Sequence, residues 1–353
     1  MKKILLALFT FSLFFFSCEK KETETATLSG LLPSKFEYQT EEGQTNQLYV
    51  MKNAKGAEVT VMNIGARIVS VMVPDKAGDL QNVVLGHDNI EPYLQLNNTL
   101  GAVSGRYSGR IANGEFMLDR VTYRLRQNDG KNTLNGGPRG FSSRYFTVEQ
   151  PNEQTLVCSY FSKAEENGFP GNLNLSVTYT LTEDNAISVG YEATTSRATV
   201  VNFTNQSYFN LSGKEAKTLG DYSLYIDASK YTPTKEDLIP TGEIKNVKGA
   251  FFDFTSQRAI DANETYDLNY VVNKPGDISN LVAKLVSSST GISMEVYSTE
   301  PGLQLSVDKE NASFALNTQH FPDSPNQPNF PTTVLRVDSV FNSQTIYKFG
   351  IEN

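Results

Sequence analysis

The chain has 353 residues, 31 Lys and Arg against 39 Asp and Glu, and is 39% hydrophobic and 20% charged. That balance fits a folded, water-facing protein and excludes wholesale disorder or a collagen-like fibre. A formal charge of -8 speaks against nucleic acid as a partner, since a phosphate backbone needs a dense Lys/Arg face; two Cys and two His leave too little for a zinc centre, an iron–sulfur cluster or a disulfide scaffold.

The first predicted element is a leader. Lys2 and Lys3 precede an apolar run from Ile4 to Phe16 that only Thr10 and Ser12 interrupt. Such a run is short for a membrane span and fits a secretory h-region. It closes on Phe15-Phe16-Ser17-Cys18, which resembles a bacterial lipobox, a small residue before a Cys that is lipidated and becomes the new N-terminus. An ordinary signal peptide with a fortuitous Cys is the alternative, but a secreted chain whose only other thiol is Cys158 gains nothing from one odd Cys. Residues 1–17 are therefore expected to be a signal peptide, and Cys18 the lipidated residue. Residues 18–34 then form a polar tether that holds the domain clear of the bilayer. The expected location is outside the cytoplasm, on the periplasm-facing side or the surface of a bacterial membrane.

From residue 35 to 353 the pattern is strand upon strand. Short alternating runs occur at Glu58 to Met62, Ile68 to Val73 and Leu156 to Phe161. The cleanest follows: Leu173, Leu175, Val177, Tyr179 and Leu181 alternate with Asn174, Ser176, Thr178 and Thr180. Period two sets one row against a core and the other against water. Glu183-Asp184-Asn185 then reads as a turn, and Ile187, Val189, Tyr191 and Ala193 resume the alternation as a hairpin partner. A further run lies at Ile292 to Tyr297, and the stretch from Phe321 to Pro331 holds too many prolines for a helix. Neither helical periodicity, an internal repeat nor a Pro/Ser linker divides residues 35–353. The expectation is all-β: one large antiparallel β-sandwich.

The common phosphate and nucleophile motifs are missing: there is no P-loop, no dinucleotide-binding glycine motif and no Gly-x-Ser-x-Gly elbow. His87 and His320 advertise no Cys or Ser partner. What remains is a set of polar clusters, Gly105-Arg106-Tyr107-Ser108-Gly109-Arg110, Leu134-Asn135-Gly136-Gly137, Asn202 to Asn210, and Asn317-Thr318-Gln319-His320. Planar amides and guanidinium groups among aromatics suit hydroxyl-rich ligands. Asn and Gly also build tight turns, so turn chemistry is the competing account.

These clusters carry a family resemblance. Arg106 to Phe116 resembles the Gly-Arg-Val-Ala-Asn-Arg-Ile-Ala-x-Gly-x-Phe signature of galactose mutarotases, the aldose 1-epimerases. Asn132 to Phe141 is similar to that family's Asn-Ser-Leu-His-Gly-Gly segment, and Asn202 to Gly213 to its Asn-Leu-Thr-Asn-His-Ser-Tyr-Phe-Asn-Leu-x-Gly. Glu166 to Leu173, Pro240 to Ile244, Tyr266 to Tyr270, Thr299 to Gln304 and Thr318 to Asp323 follow in the family's order. The resemblance spans nearly the whole mature chain. It implies a galactose-mutarotase-like supersandwich, a sugar or glycan ligand, and neither cofactor nor metal.

The family interconverts α and β anomers of an aldohexose in hexose metabolism: a Glu takes the proton of the anomeric hydroxyl, a His protonates the ring oxygen, and the ring opens, turns and recloses. Carried over by position, the resemblance assigns sugar binding to Arg110, Asp267 and Gln304. The catalytic His falls on Gln206, the second His on Asn135 and the Glu base on Asn317, while the Asn beside the sugar-binding Arg is Gly109. Amides hydrogen-bond but do not titrate in the working range, and losing one positioned acid or base costs ~10²–10⁴-fold in rate. Two readings follow: an aldose 1-epimerase family protein that binds aldohexoses with weak or lost activity, Asp267 or His320 standing in as proton carrier, or a catalytically inactive, membrane-tethered carbohydrate-binding module.

Overall fold

Alternation turns directly into burial. In the computed structural model, which describes residues 24–96, 98–213 and 218–352, the strand Leu173–Leu181 buries all five of its apolar residues and turns Asn174, Ser176, Thr178 and Thr180 outward. The strand Ala186–Thr195 lies antiparallel to it, with Val177 opposite Tyr191. Their connection is the expected turn: the Thr182 amide donates to the Ala186 carbonyl at 2.8 Å, and Asn185 takes φ 59°, a left-handed conformation Asn tolerates. The expected signal peptide of residues 1–17 and the expected lipidation site Cys18 lie outside the described residues.

That hairpin is the middle of a nine-stranded sheet running Thr147–Asn152, Thr155–Ser162, Leu173–Leu181, Ala186–Thr195, Phe341–Ile351, Ile292–Ser298, Leu281–Ser287, Tyr222–Ile226 and Arg258–Ala259. A five-stranded sheet orders Lys245–Asn246, Lys230–Thr232, Asp267–Val271, Gly302–Asp308 and Ser313–Gln319. A four-stranded sheet runs from Leu48–Lys52 through Glu58–Met62 and Arg67–Pro74 to Leu80–Asn82. Every pairing within these three sheets is antiparallel. Helical segments among the described residues are 3-10 turns of three or four residues, including Ser324–Asn326 inside the proline-rich loop.

One apolar core joins the three sheets. Val59, Val61 and Ile68 of the four-stranded sheet, Val177 and Tyr179 of the nine-stranded one, and Leu303, Leu305 and Leu316 of the five-stranded one belong to it. Burial on this scale drives folding at about 25 cal/mol per Å² of apolar surface. Two phenols bridge the layers: Tyr179 donates to the Ala66 carbonyl at 2.6 Å, and Tyr347 to the Leu316 carbonyl at 3.4 Å. Part of the stretch expected as tether is docked on this body. The Leu28 amide donates to Glu58 Oε1 at 2.7 Å, and Leu31 is buried beside Phe36 and Met62.

The strands that form the site need both faces. In Ser313–Gln319 every residue is buried, with Phe314 and Leu316 in the core. Alternation then sends Asn317 and Gln319 to the opposite face. The polar side of the five-stranded sheet is thereby a covered wall.

Candidate functional site

Register writes a polar row across four strands. Thr232 lies opposite Asn269, Asn269 opposite Gln304, and Gln304 opposite Asn317. Asp267 opposite Ser306 forms a second row on the same face, because both lie an even number of residues away. Gly302, at the end of its strand, must lack a side chain: a Cβ there would come within 2.7 Å of Asn269 Oδ1 and 2.8 Å of the Gln319 carbonyl.

Loops supply the facing wall. Ser108 donates to Gln319 Oε1 at 2.8 Å, tying the Gly105–Arg110 segment to the sheet. Gly109 and Asn135 clasp each other: the Gly109 amide donates to Asn135 Oδ1 at 2.9 Å, and the Asn135 amide returns a bond to the Gly109 carbonyl at 3.0 Å. The following Gly136 has φ 85°, and a Cβ there would sit 1.9 Å from the Gly105 carbonyl oxygen, so only glycine closes this loop. Gln206 enters from the segment after Thr204–Asn205, its backbone N–H donating to the Ala102 carbonyl at 2.8 Å. Together these residues and the sheet enclose a cavity of about 240 Å³.

All six residues expected at the site, Arg110, Asn135, Gln206, Asp267, Gln304 and Asn317, line this one cavity. Asn317 Nδ2 donates to Gln206 Oε1 at 3.0 Å. Whichever way the two amides are turned, the pair keeps one donor and one acceptor for a third group. Asn317 Oδ1 and Asn269 Oδ1 are buried with no hydrogen-bond partner among the described residues. A buried unsatisfied acceptor costs about 1–3 kcal/mol, which a ligand hydroxyl would recover. Asp267 Oδ1, at the exposed end of the wall, accepts from Gln304 Nε2 at 2.6 Å and Ser306 Oγ at 3.2 Å. Arg110 Nε donates to Asp129 Oδ2 at 2.7 Å, which sets the plane of the guanidinium; its terminal nitrogens bond no described residue. Tyr208 also lines the cavity, and burial, reinforced by the carboxylates of Asp267 and Asp308, pushes its phenol pKa up and keeps it protonated.

His320 does not belong here. It follows Gln319 by one residue, so its side chain takes the other side of the strand. There its Nδ1 meets Glu300 Oε2 at 2.6 Å, and it lines a different cavity. The expectation that it could serve as proton carrier for this pocket is corrected by that alternation. His87 is equally remote, edge-on to the Tyr93 ring at 4.9 Å. Much of the Asn202–Asn210 cluster is structural, as the turn account had it: Asn202 Nδ2 donates to the Ser108 and His320 carbonyls at 2.9 and 3.0 Å. Reading the sequence missed Thr232, Asn269, Ser306 and Tyr208. The alternation Asp267-Leu268-Asn269 and Gln304-Leu305-Ser306 is the signal that could have found two of them, Asn269 and Ser306.

The sequence model of a family described as aldose 1-epimerase matches residues 47–348. The chain is 33% identical over 337 residues to the aldose 1-epimerase of Escherichia coli (strain K12), covering 88% of this chain and 97% of that protein. It is 35% identical over 314 residues to the galactose mutarotase of Homo sapiens, covering 83% and 91%. Among crystal structures, the GalM/aldose epimerase homologue from C. elegans matches with a TM-score of 0.82 at 26% identity, covering 87% of this chain and all (100%) of that one. The galactose 1-epimerase from Lactobacillus acidophilus NCFM matches in fold with a TM-score of 0.79 at 23% identity, covering 90% and 98%.

Proposed function

Because the chain belongs to the aldose 1-epimerase family, we propose that its pocket binds an aldohexose or the end of a glycan while its anomer interconversion is weak or lost. The hydrogen bond between Asn317 and Gln206 carries this reading. By resemblance these are the positions of the Glu that takes the anomeric proton and the His that protonates the ring oxygen. Two amides bonded to each other can hold a hydroxyl and a ring oxygen, but neither can carry the proton between them.

Asp267 is a poor stand-in. It lies two strands and two residues from Asn317, roughly 12 Å between Cα atoms at ordinary strand spacing. Its bonds to Gln304 and Ser306 make it an acceptor for sugar hydroxyls.

Polarimetry tests the proposal. Freshly dissolved α-galactose or α-glucose drifts in optical rotation as it equilibrates, and the wild-type protein is expected to speed that drift little or not at all. The variant Gln206→His/Asn317→Glu/Asn135→His is expected to raise the rate by orders of magnitude, and single replacements by much less, since an acid without its base leaves half the relay missing. Strong wild-type mutarotation would overturn the reading and return Asp267 to consideration. The proposal extends to location: the lipobox-like Phe15-Phe16-Ser17-Cys18 supports a lipid-anchored protein facing away from the cytoplasm, which fractionation of a Cys18→Ala variant tests.

A further inference from the structure

Gly190 interrupts the outward row of its strand, between Ser188 and Glu192. No backbone demand explains it, for its φ is not left-handed and a Cβ would meet its nearest heavy atom, the Thr178 carbonyl oxygen, only at 3.9 Å. A glycine inside a strand weakens it and often marks close approach of another group. Its register partners are Thr178 and Gln344.

Beside it the sheet is half open. The Phe341–Ile351 strand pairs with Ala186–Thr195 as far as Phe341, but its ladder to Ile292–Ser298 stops at Thr345. In the space this leaves stands Glu300, 1% exposed, with Oε2 held by His320 Nδ1 and Oε1 lacking any partner among the described residues. Ser343, 9% exposed, has its Oγ buried and equally unpartnered. His320 Nε2 makes no hydrogen bond to the described residues. Gly190, Glu300, His320 and Ser343 line one cavity of about 600 Å³, and none of them lines the pocket of Asn317 and Gln206.

We propose that this cavity is a second binding site and takes the hydroxyl-bearing face of a neutral sugar. Its buried groups with unused hydrogen-bonding capacity are a carboxylate oxygen, a hydroxyl and an imidazole nitrogen, a mixture that complements hydroxyls able both to donate and to accept. An anion would find no Lys or Arg in the lining and two carboxylates, Glu192 and Glu300. A bare metal ion would find no group of three His, Cys, Asp or Glu side chains among the described residues. Ser343 pairs with Tyr191 on the inward side of the sheet and Gly190 with Gln344 on the outward side, so the polar groups form the floor of the cavity and Gly190 only its outer rim.

The chain's two His make the test direct. Imidazole NMR signals are followed in the full protein as galactose or maltose is added, with His320→Gln assigning the His320 signal. In Arg110→Ala, where the first pocket is impaired, the His320 signal is expected to shift with saturation while that of His87 stays put. Ser343→Val, which fills the cavity at the unpartnered Oγ, is expected to abolish that shift. Ser343→Ala is expected to weaken it several-fold. Calorimetry on the wild type should count two sugar sites, and on Ser343→Val one. A His320 signal unmoved by either sugar, or moved by calcium or ammonium ions but not by sugar, overturns the proposal. So does a shift that Arg110→Ala removes and Ser343→Val leaves. Because the readout is His320, failure of the first pocket to bind is seen separately.

Discussion

Asn317, Gln206 and Asn135 are each locked by a neighbour before any ligand arrives. Asn317 and Gln206 hold each other, and Asn135 holds the Gly109 amide. Beside the unpartnered Oδ1 atoms of Asn317 and Asn269, a charged pair on opposite walls is left to capture a sugar. Arg110 has terminal nitrogens to spare, and Asp267 has a carboxylate at the open end. Hydrogen bonds to charged groups are worth roughly 1.5–3 kcal/mol. Arg110→Ala and Asp267→Ala are each expected to raise Kd about ten- to a hundredfold, measured by calorimetry against a panel of aldoses and oligosaccharides. A wild-type protein that binds none of the panel would count against a sugar pocket altogether. The retained residues were legible in the sequence because each sits inside a quoted motif. Asn269 lies inside such a motif too, but its part in the site was not legible, for that comes from lying opposite Gln304, a relation created by pairing.

At the scale of strands, the alternating runs were legible because the period is a local property of the chain. Both faces of Ser313–Gln319 are buried, however, and nothing local says which row meets core and which meets cavity. The hairpin Leu173–Leu181/Ala186–Thr195 carries a testable electrostatic tie at its turn, where Asp184 meets Lys348 at 2.8 Å. The hydrogen bond from Lys348, helped by one from Thr182, pulls the Asp184 carboxyl down to about 2. A carboxyl lowered on folding adds stability that is complete above its unfolded value, near 3.9, and is lost as pH falls through about 2. Both side chains are largely exposed, at 44% and 57%, so solvent screening holds the contribution to at most ~1 kcal/mol. Asp184→Asn is expected to lower Tm slightly at pH 6, with the difference from wild type closing by pH 2 in parallel thermal melts. A difference that stays constant across that window would assign the effect to packing instead.

For the whole molecule, three sheets share one core, and the N-terminal approach to it is docked through Leu28 and Leu31. If Cys18 carries a lipid, only the short stretch before these residues separates the membrane from the body. Acyl burial contributes ~0.8 kcal/mol per CH₂, so Cys18→Ala is expected to move the protein from the membrane fraction to the soluble extracytoplasmic fraction on immunoblots. An unchanged distribution would defeat the anchoring proposal.

By itself the sequence determined the strand periodicity, the all-β class, the polar motifs and the amides at three positions of the proposed chemistry. Those are properties of a residue and its near neighbours, and they survive without knowing what packs on what. Tertiary structure alone decided that residues 110, 135, 206, 267, 304 and 317 meet in one cavity. It decided that Asn317 donates to Gln206, and that His320, one residue beyond Gln319, faces Glu300 on the other side of the strand. The physical reason is the two-residue period of a strand: it gives each side chain one of two faces, and only the pairing of distant strands says what each face will meet.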